Sequence, residues 1–116
     1  MAAVALNTFL TVRHLVTDSN VGIYTSPIGV ASIVLYAQAT NIDPNGDVRF
    51  VTLSHARPGE SPLDFEVARN VPVIAQDTLN LLSGRLVLET GDELKLSGDS
   101  TGNVKVVLSI LETAKS

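Results

Sequence analysis

The 116-residue sequence contains no cysteine and no tryptophan. Without thiols there is no disulfide framework, no cysteine-based zinc site and no cysteine nucleophile, and the chain tolerates either redox state. Aromatics make up 4% of the residues: Phe9, Tyr24, Tyr36, Phe50 and Phe65. Proteins that hold single-stranded nucleic acid stack its bases on aromatic platforms, which these few rings supply poorly. Basic residues stand singly, at Arg13, Arg49, Arg57, Arg69, Arg85, Lys95, Lys105 and Lys115, and the net charge is −4. Phosphate recognition needs such residues clustered, so no nucleic-acid partner is expected. The longest apolar run, residues 28–37, falls short of the roughly 20 residues of a membrane helix. The opening MAAVALNTFL lacks the basic start of a secretory signal. A soluble, unprocessed chain with no membrane partner is the expectation.

Signs of catalysis are missing as well. His14 and His55 are the two histidines. Neither stands in a nucleophile motif or at metal-ligand spacing. No G-x-G-x-x-G or Walker loop is present. We therefore expect no enzyme activity, cofactor or metal.

What the sequence does contain is period-2 alternation, the mark of half-buried strands. Val, Ile and Thr are abundant, and their stiff branched side chains suit a pleated surface. Strands are expected over residues 8–16, 21–25, 31–42, 48–55, 63–70, 85–89, 93–97 and 104–111, with a further short one at 77–82. DPNGD (43–47) reads as a hairpin turn, because Asn-Gly accepts positive φ. In residues 63–70, Leu63, Phe65 and Val67 form the apolar side, and Pro72 then argues for an edge or a kink. GRLVLETGDELKLSG (84–98) reads as another hairpin around Gly91. Leu86, Leu88, Leu94 and Leu96 share one side, while Arg85, Glu89, Glu93 and Lys95 face solvent. Asp92 is read as a turn residue bonding nearby backbone. A dedicated calcium loop would need a D-x-D-x-D-G order that is absent. Many short strands with regular turn signals define an all-β, single antiparallel β-sandwich, jelly-roll-like, of about eight strands. Residues 1–7 are read as an N-terminal arm and 8–116 as the sandwich domain.

Several strands are apolar on both faces. Ile33 and Leu35 are grouped with Ala31, Ala37 and Ala39 on one face, opposite Val34 and Tyr36. Val107 and Leu111 lie opposite Val106 and Leu108. Either the second face is covered within the monomer, or another copy or a larger lattice buries it. The arm residues Ala2, Ala3, Val4, Ala5 and Leu6, with Val107 and Leu111, are the expected interaction residues.

Three stretches carry a resemblance to a known group: AVALNTF (3–9), VGIYTSPIGVASIVLYAQATNID (21–43) and LLSGRLVLETGDELKLSGDSTGNVKVVLSILET (81–113). With their YT-x-P-x-G turn, G-x-L-x-L-x-x-G-D-x-L segment and closing S-x-L-E, they resemble small β-sandwich structural (virion) proteins of tailed bacteriophages, especially cyanophages. The resemblance implies a structural role in the virion, assembled in the host cytoplasm. Its partners would be itself, as a homo-oligomer and most often a trimer, and the major capsid or another virion protein. A capsid decoration (cement) protein is the leading expectation. A neck, tail or baseplate component, or a receptor- or glycan-binding module, is the alternative. Deleting residues 1–6 is expected to weaken association with the particle without unfolding the domain. Occupancy on purified particles, compared with the thermal melt of the free protein, measures both effects.

Overall fold

A computed structural model describes residues 7–114. The arm residues Ala2, Ala3, Val4, Ala5 and Leu6 lie outside that range. Among the described residues nine strands form two antiparallel sheets stacked face to face, the sandwich expected from the alternation. The first sheet holds β1 (Asn7–Leu15), β9 (Val104–Ala114) and β3 (Val30–Asn41) in that order. Two three-residue strands follow each other along the far side of β3: β6 (Thr78–Asn80) and β7 (Leu86–Leu88). The second sheet runs β2 (Val21–Thr25), β8 (Glu93–Gly98), β4 (Arg49–Ala56) and β5 (Asp64–Val73). Pro72 sits in β5, an edge strand, where its missing N–H costs the ladder little.

The expected hairpins are not hairpins. DPNGD links β3 of the first sheet to β4 of the second, and TGDE links β7 of the first to β8 of the second. Both turns reverse the chain as their chemistry demands: Gly46 and Gly91 have φ of 78° and 86°. Turn residues dictate only the local reversal. The returning strand can pair in plane or stack on the opposite layer. Here it stacks, which points Leu88, Leu94 and Leu96 into one shared interior. The one connection joining sequence-adjacent, hydrogen-bonded strands among the described residues is the Pro/Gly-rich loop between β4 and β5.

Two bulges redirect faces that simple alternation assigns wrongly. In β3 the register with β9 passes from Val34↔Ile110 directly to Tyr36↔Ser109, so Leu35 is an extra residue. An extra residue flips the alternation beyond it. Ser32 and Val34 point inward before the bulge, and Ala37, Ala39 and Asn41 after it. Ile33 and Leu35 therefore do not share a face with Ala37 and Ala39. In β5 the register passes from Leu53↔Ala68 to Ser54↔Glu66 and skips Val67. Ala68 is buried, while the expected apolar side remains open: Leu63, Phe65 and Val67 are 43%, 57% and 40% exposed.

The core is aliphatic. Val34, Leu88, Val106, Leu108 and Ile110 of the first sheet meet Val51, Leu53, Leu94 and Leu96 of the second, all buried. No aromatic residue belongs to the buried set. At Gly98 the interior has no room for a side chain: a Cβ there would lie 2.6 Å from Val16 Cγ1. Val16 is itself buried and cannot yield easily. Gly98→Ala is expected to destabilise the fold by about 1–3 kcal/mol through overpacking, read as a lower urea midpoint at unchanged m-value.

Candidate interaction face

Polar side chains tie the two sheets together at several places. Asp92, between β7 and β8, is 1% exposed. Arg57 grips it with two bonds, from Nε to Oδ1 at 2.8 Å and from Nη2 to Oδ2 at 2.7 Å. His55 Nε2 lies 2.9 Å from Oδ2, and the backbone N–H of Glu89 donates to the same oxygen at 2.9 Å. The Arg57 hydrogen bonds hold the Asp92 carboxyl well below the usual carboxylate range. His55 and the Glu89 N–H add to that effect, while burial opposes it. The turn role read from the sequence is real, through Glu89. The partners 35 and 37 residues away are not visible locally.

A second tie joins β2 to the first sheet. The Tyr24 hydroxyl donates to Glu112 Oε2 at 2.5 Å and lies 2.7 Å from Ser32 Oγ. Burial first, then the neighbouring Glu112 carboxylate, pushes the phenol up to about 12. Asn41 is a third: its Nδ2 donates to the carbonyls of Asp47 and Val73, and its Oδ1 accepts from the Asp43 N–H. Asp43 caps the Asn45 N–H and pairs with Arg49 at 2.7 Å. Its carboxyl is lowered by the Asn45 backbone bond first and then by Arg49, against burial. All these groups find their partners within the fold. Among the described residues no cluster of three or more His, Cys, Asp or Glu side chains could hold a metal.

The unsatisfied surface is apolar. Register places Phe9 of β1 opposite Leu111 of β9, Leu111 opposite Ile33 of β3, and Ile33 opposite Val87 of β7. Directly paired residues on adjacent strands point to the same face, about 5 Å apart. These four form one apolar row across the outside of the first sheet. Phe9 is 73% exposed and Val87 57%, and Leu111 and Ile33 are half-buried by their neighbours. Val107 is half-buried on the same face, between Arg13 and Gln38. Val106, Leu108 and Ile110, on the other side of β9, are core. The structure thus brings two expected interaction residues, Val107 and Leu111, together on one outward face. It adds Phe9, Ile33 and Val87, which only the register could reveal.

Solved structures share this architecture along its length. One belongs to Bacillus endospore appendages, described as a family of disulfide-linked pili. It is 10% identical with a TM-score of 0.55, covering 100% of this chain and 98% of that chain. Another belongs to the acidic-stable capsid of Helicobacter pylori bacteriophage KHP30. It is 10% identical with a TM-score of 0.55, covering 97% of this chain and 90% of that chain. At such identities the likeness is one of fold. No protein-family model and no curated protein matches the sequence.

The Asp92 tie makes stability depend on pH. A carboxyl lowered in the folded state stabilises fully above its unfolded value, about 3.9. That contribution is lost as pH falls toward the folded value. Asp92→Asn is expected to cost about 2–3 kcal/mol at neutral pH, the scale of charge-assisted hydrogen bonds. The difference from wild type should shrink steadily below about pH 4. Urea melts of both proteins from pH 7 to pH 2 measure it.

Proposed function

We propose that this chain is a structural subunit of a tailed-phage particle, in the first instance a decoration protein seated on the capsid shell. The carrying observation is the outward apolar row Phe9–Leu111–Ile33–Val87, which a monomer leaves wet. Burial of such a face against a neighbour contributes roughly 25 cal/mol per Å² of apolar area before association costs. Repetition over a shell turns a modest gain per subunit into resistance of the whole particle. The fold likeness to a chain of a phage capsid supports this setting. The resemblance of the sequence motifs to cyanophage proteins supports it independently, and the cyanophage origin rests on those motifs alone.

The pilus likeness supports self-assembly of a different kind. Those appendages are described as disulfide-linked, and this chain has no cysteine. Its own assemblies would be held by burial and backbone pairing. Glycan recognition finds less support: the Tyr24 hydroxyl is engaged inside the fold by Ser32 and Glu112.

Leu111→Glu places a charge in the centre of the apolar row without touching the core. In the proposed role it lowers affinity for the particle at least tenfold, about 1.4 kcal/mol, while the free protein melts near the wild-type temperature. Occupancy is read from purified particles decorated in vitro. Wild-type occupancy by Leu111→Glu would remove this face from the interface. Absence of the protein from intact virions, by mass spectrometry and density maps, would remove the phage setting.

A further inference from the structure

Sheet edges left unpaired attract other strands, and proteins normally blunt them. Among the described residues, three of this sandwich's edges are blunted. Strand β5 carries Pro72, two register shifts and Asn70 at φ 48°. Strand β2 has five residues and a register shift between Gly22 and Tyr24. Strands β6 and β7 have three residues each. The fourth edge is different. Strand β1 pairs with β9 through nine consecutive residues, with no shift. It holds no proline and no positive φ. Among the described residues nothing pairs with its other side.

We propose that β1 pairs with β1 of a second copy, antiparallel about a two-fold axis through Thr11, joining the two first sheets into one continuous sheet. The inference rests on the reading of the chain as a self-associating subunit and is independent of the phage setting. A regular edge needs a regular partner, and no other described edge of the fold offers one. A contact of one surface with itself is isologous and closes as a pair.

The register follows from the side chains. With Thr11 on the axis, Thr11 meets Thr11, a favoured cross-strand pair. Leu10 meets Val12 on the core-facing side. On the outer side Phe9 meets Arg13, ring against guanidinium. Thr8 meets His14, whose buried Nε2 has no hydrogen-bond partner among the described residues. The Thr8 hydroxyl of the second copy would supply one. A surface depression of about 420 Å³, lined by His14, Val106 and Val107 among others, opens beside this edge. Moving the axis to Val12 would bring the two Arg13 side chains onto adjacent diagonals and set His14 against Leu10. Charge and hydrogen bonding thus both select Thr11.

Because the chain has no cysteine, an introduced thiol reports its own neighbour. Thr11→Cys places two thiols across the axis, within the span a disulfide requires. Under mild oxidation it is expected to form covalent dimer at least about tenfold faster than Phe9→Cys, whose counterpart would be Arg13. The exposed pair Asn7→Cys with Leu15→Cys gives a second readout that leaves the axis untouched. The two positions are too far apart along one strand to join within a chain, so a covalent dimer needs the second copy. Light scattering on the wild type should give twice the chain mass. Several outcomes overturn the pairing: equal cross-linking at Thr11 and Phe9, no covalent dimer in either design with a native circular dichroism spectrum, a trimer mass, or loss of the dimer on deleting residues 1–6. The virion experiments can succeed or fail separately from all of these.

Discussion

Everything in this molecule depends on two aliphatic sheet faces being pressed together. There is no disulfide, and no aromatic side chain is buried in the described core. Leu53, Leu94 and Leu96 on one side and Leu88, Leu108 and Ile110 on the other supply the non-directional driving force. Small residues let the layers close: Ala37 and Ala39 sit in the middle of β3, and Gly98 gives way to Val16. Branched and small aliphatics in staggered rotamers fill such a gap without voids. The polar ties then do what the core cannot. Arg57–Asp92, Tyr24–Glu112 and Asn41–Val73 each connect specific residues. A slipped register would strand a buried charge or amide, at a cost of a few kcal/mol.

The same geometry explains how far the sequence could be read. Strand existence was legible almost throughout, because period-2 alternation is a local property: residues 21–25 coincide with β2, and even the short strand near 77–82 is present as β6. Which strands pair was not. DPNGD and TGDE have the residues of hairpin turns, yet each throws the chain to the opposite sheet. Local dihedral chemistry is identical in the two cases. The bulge at Leu35 defeated face assignment for a similar reason, since nothing in VASIVLYAQATN signals where one residue loops out. Leu63, Phe65 and Val67 looked like core by composition and lie open on an edge strand.

The candidate face was half visible. Excess hydrophobicity in β9 singled out Val107 and Leu111, because a strand needs only one apolar side to hold a sandwich together. Phe9 and Val87 escaped, since each looks ordinary within its own strand. Only cross-strand register, set by contacts between strands far apart along the chain, lines them up with Leu111 and Ile33. Likewise Asp92 read as a turn residue, while its arginine and histidine partners lie on a loop and a strand end far away in sequence. The expected arm, residues 1–7, contributes only Asn7 to the described chain, as the first residue of β1.

The repeated crossing between layers carries a consequence for how the molecule is made. Consecutive strands alternate between the sheets for most of the described chain, and β1 completes its ladder only with β9, the last of the described strands. Neither layer can therefore be assembled from a contiguous stretch of polypeptide. A ribosome must release β9, which follows the other eight described strands, before the first sheet can close. Loops of this length must be closed in the search before contacts repay them, which makes barrier crossing slow and cooperative. A fragment that stops short of β9 leaves β1 and β3 without the strand that lies between them, so the first layer forms whole or not at all.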